Sequence, residues 1–343
     1  MKLVSFETIS ELLPIEGADR IELARIQGWQ SVVKKGEYKV GDRVIFIPID
    51  TMIAPAVWNQ FLWDKKDPTK PIRIKTAKLR GAISQGVIFP TTLISAQEIW
   101  DHYDDPDEDV SLAGILGVTK YEKPIPANLA GKVAGDFPTH LLSKTDEDNL
   151  KSNIQVLAEF ENAETVEATL KIDGTSATYI KEVDGTFRVC SRNLELYDGE
   201  NVYWQMARKY NIQEILQPGY SIQGEIAGPG IQKNPAGFSE VGLYLFNMVD
   251  LATRKSVNKM NWIDGYGVAS TIPGVPVVKI FNKNFDMYSI DDLQKWVNGI
   301  QYLNSKPAEG IVFRAYNKAG ELMYSKTLQK MLSVKIINQN YID

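Results

Sequence analysis

The segment Ala168-Thr169-Leu170-Lys171-Ile172-Asp173-Gly174-Thr175-Ser176 ends an apolar run in a lysine, places an aspartate two residues on, and frees the backbone at a glycine. In an extended stretch, alternate residues face the same side, so Lys171 and Asp173 can share a pocket. A lysine amine attacks phosphorus only when unprotonated, and its reference pKa is about 10.4. Neighbouring carboxylates raise that value. They help only if they also hold a divalent cation, whose charge disfavours the ammonium and stabilises the developing transition state. Taken alone, Lys-x-Asp-Gly is also an ordinary strand followed by a common turn.

Composition narrows the chemistry further. The 343 residues contain one cysteine, Cys190, and two histidines, His102 and His140. Internal disulfides and Cys-rich zinc sites are thereby excluded, and histidine acid–base chemistry is disfavoured. What remains is lysine, arginine, carboxylates and a hard cation held by oxygen. No Gly-x-x-x-x-Gly-Lys-Ser/Thr loop occurs, and Gly228-Pro229-Gly230 lacks the third glycine of a dinucleotide fingerprint. Cys190 lies in a predicted strand and reads as buried rather than reactive. The composition, 44% apolar and 24% charged, is that of a globular protein. No signal-peptide core or membrane-length apolar run is present, so an intracellular, non-secreted protein without a membrane partner is expected, most simply a monomer. The net charge of −5 hides an uneven distribution. Residues 71–80 carry four cations and no anion, whereas residues 101–109 carry six acids and no base.

The elements that would position Lys171 divide the chain in two. Up to about residue 100 the pattern is of short strands: Arg20 to Ile26, Gln30 to Val33, Val44 to Ile49 and Gly86 to Pro90, separated by Gly-rich turns. That spacing fits a small β-barrel of the OB kind. The acidic run 101–109 and Lys123-Pro124-Ile125-Pro126 mark a boundary, which gives domains 1–120 and 121–343. In the second domain, strands are predicted at 165–172, 176–183, 186–191, 220–226, 241–249 and 310–316. Helices are predicted at 200–216, with Val202, Met206, Tyr210 and Ile212 near one face, and at 289–304. The fold class is α+β, an N-terminal barrel followed by an antiparallel α+β domain.

Further segments recur in a fixed order. Lys171-Ile172-Asp173-Gly174-Thr175 resembles motif I of the superfamily of ATP-dependent ligases and capping guanylyltransferases. Ser191-Arg192-Asn193 resembles motif Ia, Gln223-Gly224-Glu225-Ile226 motif III, and Leu243 to Val249 motif IIIa. Ala308-Glu309-Gly310-Ile311-Val312-Phe313-Arg314 resembles motif IV, and Ser333-Val334-Lys335-Ile336 motif V. Within that superfamily, Phe137-Pro138, Lys144-Thr145-Asp146-Glu147 and Gly228-Pro229-Gly230-Ile231-Gln232-Lys233-Asn234 are similar to segments of RNA ligases. Gly17 to Ile21, Lys39 to Val44 and Leu79 to Gly86 are similar to the OB modules of the RNA ligase branch that carries this domain at the N-terminus. Only eight residues follow Lys335, whereas DNA ligases and capping enzymes generally place their OB domain after motif V.

The resemblance implies an OB-fold domain followed by an adenylyltransferase domain. It implies an enzyme that uses ATP and Mg2+ or Mn2+ to join RNA ends, in a nicked duplex or at a break, through lysyl-AMP and RNA-adenylate. A DNA ligase, a GTP-using capping enzyme and an inactive RNA-binding protein are the alternatives. It makes Lys171 the nucleophile and Lys335 the cation on the α-phosphate. Lys144, Leu170, Asp173, Arg192, Glu225, Phe246 and Glu309 join them around the nucleotide, with Tyr244 as the alternative to Phe246 for stacking on adenine. Asp173, Glu225 and Glu309 would face the metal. In the N-terminal domain, Lys34, Lys35, Arg73, Lys75, Lys78 and Arg80 are candidate phosphate contacts. Four positions depart from the family pattern. Asn149 stands where an arginine is usual, with Lys151 the nearest cation. Ser333 and Ile337 stand where motif V would repeat its lysine, with Lys330 or Lys326 as substitutes. Asn247 replaces an aspartate.

Overall fold

The computed structural model describes residues 2–63, 67, 69–94, 108–121, 131–258, 262 and 268–341. The predicted boundary at Lys123 to Pro126, His102 and most of the acidic run lie outside these residues. The chain separates into two compact units, Met1–Pro124 and Ile125–Asp343.

The first unit is built of short antiparallel strands. Ser5–Thr8 and Val87–Pro90 flank Arg43–Ile47 in one sheet, and Glu11–Pro14, Ile21–Ile26 and Trp29–Lys34 form a meander. Ile45 and Ile47 point into one apolar cluster with Ile53 and Leu112, while Val44 and Phe46 point into another with Ala24, Ile26 and Trp29. Burial on both faces explains why Val44-Ile45-Phe46-Ile47 is continuously apolar rather than alternating.

Among the described residues the second unit contains two large sheets and a two-stranded ribbon, Tyr324–Ser325 with Lys330–Met331. The larger has seven strands in the order Val133–Asp136, Leu194–Leu196, Phe187–Ser191, Thr175–Lys181, Tyr220–Ala227, Gly242–Asp250 and Lys255–Ser256. The smaller has five, in the order Asp148–Asn149, Ser333–Ile337, Gly310–Tyr316, Thr165–Lys171 and Val277–Asn282. All pairings are antiparallel except that of Asp148–Asn149 with Ser333–Ile337. Each sheet buries one face under its own core. Tyr179, Ile222, Leu243 and Met248 pack with Tyr203 and Met206 of the helix Val202–Lys209. Val166, Ala168, Ile311, Phe313 and Val334 pack with Phe160, Phe285 and Leu293. The opposite faces carry Thr169, Arg314 and Lys335 in the smaller sheet and Thr178, Gln223 and Glu225 in the larger, where Ile180 and Cys190 also pack with Phe137 and Leu142. Three residues, Ile172, Asp173 and Gly174, separate Thr165–Lys171 of the smaller sheet from Thr175–Lys181 of the larger, so the two sheets come together just past Lys171.

Both predicted helices are shorter than expected. Asn201 caps the first by accepting from the Trp204 amide, but Asn211 at φ 50° ends it as a helix over Val202–Lys209 followed by Ile212–Ile215. Asparagine tolerates the left-handed conformation that such a break requires. The second runs over Ile290–Asn298 from a Ser289 cap and stops before Gly299. Among the described residues no helix is long and apolar enough to cross a membrane.

Candidate active site

Strand register puts the candidate residues on one face. Lys171 lies opposite Gly310, Thr169 opposite Val312, and Val312 opposite Lys335, while Glu167, Arg314 and Ser333 form the next row. Directly opposed residues in an antiparallel ladder project to the same side. Lys171, Thr169, Lys335 and Arg314 therefore share a surface, and Leu170 turns the other way into apolar packing. Glu225 comes from the larger sheet, opposite Ser176 and Tyr244.

Gly174 allows this approach. A Cβ there would lie 2.3 Å from the Ile226 carbonyl oxygen and 2.9 Å from Cγ of Glu225, so any side chain would push the Lys171 turn off the Glu225 strand. Gly174→Ala should cost about 1–3 kcal/mol of stability, read by denaturant unfolding.

The Lys171 ammonium donates to Oε1 of Glu309 at 2.5 Å, with the two side chains 26% and 17% exposed. Burial works against the ammonium. The carboxylates of Glu309, Glu225 and Asp173 outweigh it, and the Lys171 pKa lies above its ordinary value. The other Glu309 oxygen, Oε2, is buried without a hydrogen-bond partner. A bare carboxylate oxygen in this position fits a bound cation, since a buried polar atom left without a partner is otherwise costly. Asp173 accepts from the Tyr341 hydroxyl at 2.6 Å. Among the described residues no three His, Cys, Asp or Glu side chains converge as a metal cluster. The carboxylates instead surround the ammonium.

The wall of the site includes a bulge. Gln223 pairs with Asn247 and Gly224 with Leu245, which leaves Phe246 as the extra residue of its strand. Bulges re-aim side chains, and here Phe246 lies 5.7 Å beneath the Arg314 guanidinium. Tyr244 is stacked on Phe238 at 4.8 Å. Asn247 donates to Gln223 at 2.8 Å and accepts from Ser256 at 2.8 Å.

At the opposite end, Arg192 pairs with Asp146 at 2.9 Å and Lys144 donates to the Asn193 side chain at 3.0 Å, so the motif Ia turn and the Lys144 segment lock together. Thr145 shares a 2.7 Å hydrogen bond with Ser176. Gln232 donates to the Gly174 carbonyl at 3.3 Å, which ties the loop after Gly228 to the Lys171 turn. Lys330 is committed to Asp148 and the Asp146 carbonyl, both at 2.7 Å. Lys326 is exposed. Ser333, where a second motif V lysine is usual, is buried with its hydroxyl unpartnered. Lys151 is buried rather than presented to solvent, and Cys190 is buried with its thiol pushed up to about 12.

Three residues had no role in the sequence reading. Arg314, 6% exposed, pairs with Glu147 at 2.9 Å and donates to Thr169 at 3.3 Å. A charged residue inside an apolar strand must find such a partner, and that was the available signal. Tyr302 and Tyr341 carried none. Burial pushes the Tyr302 hydroxyl up to about 12.

In the first unit, Lys75, Lys78 and Arg80 are exposed, the last two on the hairpin Ala77–Leu79 and Ala82–Ser84. Hydrogen bonds from Gln30 to the Ile83 carbonyl and from the Val32 amide to Ser84 dock this hairpin on Trp29–Lys34, beyond which Lys35 is exposed. Arg73 is committed elsewhere: it pairs with Asp50 at 2.6 Å and stacks 3.9 Å over Tyr121.

Comparison with known proteins adds an independent line. An OB-fold domain family model matches residues 3–91, and the RNA ligase family model matches residues 164–328. Among solved structures, a Naegleria gruberi RNA ligase variant with AMP and Mn is 30% identical at a TM-score of 0.81, with 99% of this chain and 98% of that chain covered. The same ligase with PPi is 29% identical at a TM-score of 0.79, over 99% of this chain and 98% of that chain. A variant with ATP and Mn is 29% identical at a TM-score of 0.80, again over 99% and 98%. The curated proteins give no match.

Proposed function

The chain belongs to the RNA ligase family, with an OB-fold unit before an α+β unit, and from that premise we propose that it joins a 5′-phosphate end to a 3′-hydroxyl end of RNA with ATP, using Lys171 as the nucleophile. The observation that carries the reading is the Lys171–Glu309 contact at the junction of the two sheets, with Glu225 and Asp173 beside it and one Glu309 oxygen bare.

The reaction has three displacements at phosphorus. Nζ of Lys171 attacks the α-phosphorus of ATP, the bond to the bridging oxygen breaks, and pyrophosphate leaves while the amine gives up its proton. A 5′-phosphate oxygen of RNA then attacks the lysyl-AMP, the phosphorus–nitrogen bond breaks, and Lys171 regains a proton. The 3′-hydroxyl loses its proton as it attacks the 5′-phosphorus, and AMP leaves. Solved structures of the Naegleria gruberi RNA ligase and its variants hold ATP, AMP and PPi, the substrate and product groups of such a first displacement. Positioning and cationic charge dominate such displacements.

The residues have corresponding tasks. Lys335, on the Lys171 face, holds the α-phosphate; Lys144 and Arg192 meet the nucleotide's polar groups; Phe246 stacks on adenine, since Tyr244 is already paired with Phe238. Mg2+ or Mn2+ would be held by Glu309 with Asp173 and Glu225 nearby, and would supply charge that favours the free amine and stabilises the phosphoryl oxygens. Incubation with Mg2+ and α-labelled ATP or GTP tests the nucleotide: ATP should label the protein covalently, and labelling by GTP instead would make it a capping-type enzyme. Nicks with RNA at the 3′-hydroxyl side should be sealed in preference to all-DNA nicks, and equal sealing would remove the RNA assignment.

The first unit would hold the polynucleotide through Lys34, Lys35, Lys75, Lys78 and Arg80. Replacing Lys78 and Arg80 together by alanine should weaken RNA binding and reduce the slope of log affinity against log salt by about 1–2. Nucleotide capture at Lys171 should be unchanged. Filter binding across a salt series checks the first, labelling the second.

A further inference from the structure

The ladder between Thr165–Lys171 and Gly310–Tyr316 ends at the pair Lys171 and Gly310. Beyond that rung the chains turn apart, one into Ile172 and Asp173, the other back to Glu309. The Tyr302 hydroxyl lies where the next linkage would fall. It donates to the Lys171 carbonyl at 3.3 Å and accepts the amides of Asp173 and Glu309, each at 3.3 Å. A phenolic oxygen in this arrangement uses its one proton and two lone pairs, so all of its hydrogen-bonding capacity goes to these two segments. We propose that Tyr302 is a positioning residue for lysyl-AMP formation, fixing the backbone that carries Lys171 and Asp173 to the backbone that carries Glu309. This rests on the reading of Lys171 as nucleophile.

Tyr302 is itself held firmly. It is 5% exposed, packs in a cluster with Ala236, Ala308 and Tyr341, and its amide donates to the Lys306 carbonyl at 2.8 Å. Asn338 reinforces the same region: its amide donates to the Glu309 carbonyl at 3.0 Å and its side chain to the Ile300 carbonyl at 3.1 Å. The hydroxyl touches backbone and not the reacting groups, so its loss should leave the nucleotide pocket in place while Lys171 and Glu309 lose their fixed spacing.

The test is Tyr302→Phe in the full-length protein, read in three assays: lysyl-AMP formation in a single turnover across ATP concentrations, sealing of pre-adenylylated RNA without ATP, and thermal unfolding. The maximal rate of lysyl-AMP formation should fall roughly 30-fold, because small misplacements of a reacting group carry large rate penalties. The ATP concentration for half-maximal rate should change by less than about twofold, and sealing of pre-adenylylated RNA by less than about threefold. Equal losses in both reactions would mean a merely structural role, and an unchanged first step would mean none; either overturns the proposal. Should Tyr302→Phe fail to fold, Tyr302→Met fills the space without a hydroxyl and is judged by the same rate comparison. Lys171→Ala in parallel separates the two ideas: if it still captures label, the nucleophile assignment itself fails, whatever Tyr302 does.

Discussion

Lys171→Ala is expected to abolish covalent capture of label from α-labelled ATP and sealing of 5′-phosphate ends, while sealing of pre-adenylylated RNA stays within about tenfold of the native rate. The split follows from what the amine does. In the proposed first displacement it is the attacking atom, and among the described residues the neighbouring lysines are placed elsewhere. Lys335 is two residues further along the ladder and two strands across, beyond Gly310–Tyr316. Lys330 is committed to Asp148 and Asp146. In the last displacement the attacking atom belongs to RNA and the leaving group is AMP, so the lysine contributes only charge. Lys171→Arg sharpens the test: it keeps the charge and can still pair with Glu309, but a guanidinium is not a nucleophile at accessible pH. It should fail as completely as alanine in the first step. Labelling followed by gel separation checks both variants.

Glu309→Gln should slow lysyl-AMP formation by about 100-fold to 1000-fold, with a change in pH dependence that a simple loss of stability would not produce. Glu309 acts in two opposing ways. Its Oε1 holds the ammonium, which keeps Lys171 protonated and directed. Its Oε2, buried and unpartnered, is suited to the cation that must take over when the amine becomes free. Burial opposes the Lys171 ammonium, yet Glu309, Glu225 and Asp173 raise the pKa overall. Removing the Glu309 charge therefore lowers it, and the pH at which the first-step rate levels off should move down while the plateau itself falls. A variant whose plateau falls at unchanged pH would show that Glu309 does not set the state of Lys171. The same direction governs stability. With the folded pKa above the unfolded one, the pair's stabilisation is fully present below about pH 10. It is lost as pH rises through the folded value.

The parts of this site that could be read in the sequence were those in which residue type and position reinforce each other. A lysine and an aspartate at a strand end before glycine, a glutamate opening an apolar strand, and a lysine on the next strand mark themselves by being polar where an apolar residue would fit. The strands Thr165–Lys171 and Gly310–Tyr316 followed from their apolar runs. What escaped depended on pairing between distant segments. Phe246 and Tyr244 could not be told apart because their difference is a bulge, and a bulge exists only relative to the partner strand. Asn211 breaks a continuous apolar stripe that periodicity reads as one helix. Arg73 looked like one more cation in a basic stretch until Asp50 and Tyr121 were found around it. Tyr302 joins the Glu309 amide, seven residues on, to the Asp173 amide, 129 residues away, and no pattern of side chains announces an interaction with an amide.

The proposed reaction passes through one bond between protein and nucleotide, whose position can be located directly. The protein is incubated with ATP and Mg2+ in the absence of RNA, digested under conditions that preserve phosphoramidates, and its peptides are sequenced by mass spectrometry. The account predicts AMP attached to Nζ of Lys171 and to no other residue, with the adduct discharged when pyrophosphate or a 5′-phosphorylated RNA is added before digestion. AMP on a different side chain, or no adduct from a preparation that seals RNA, would contradict it.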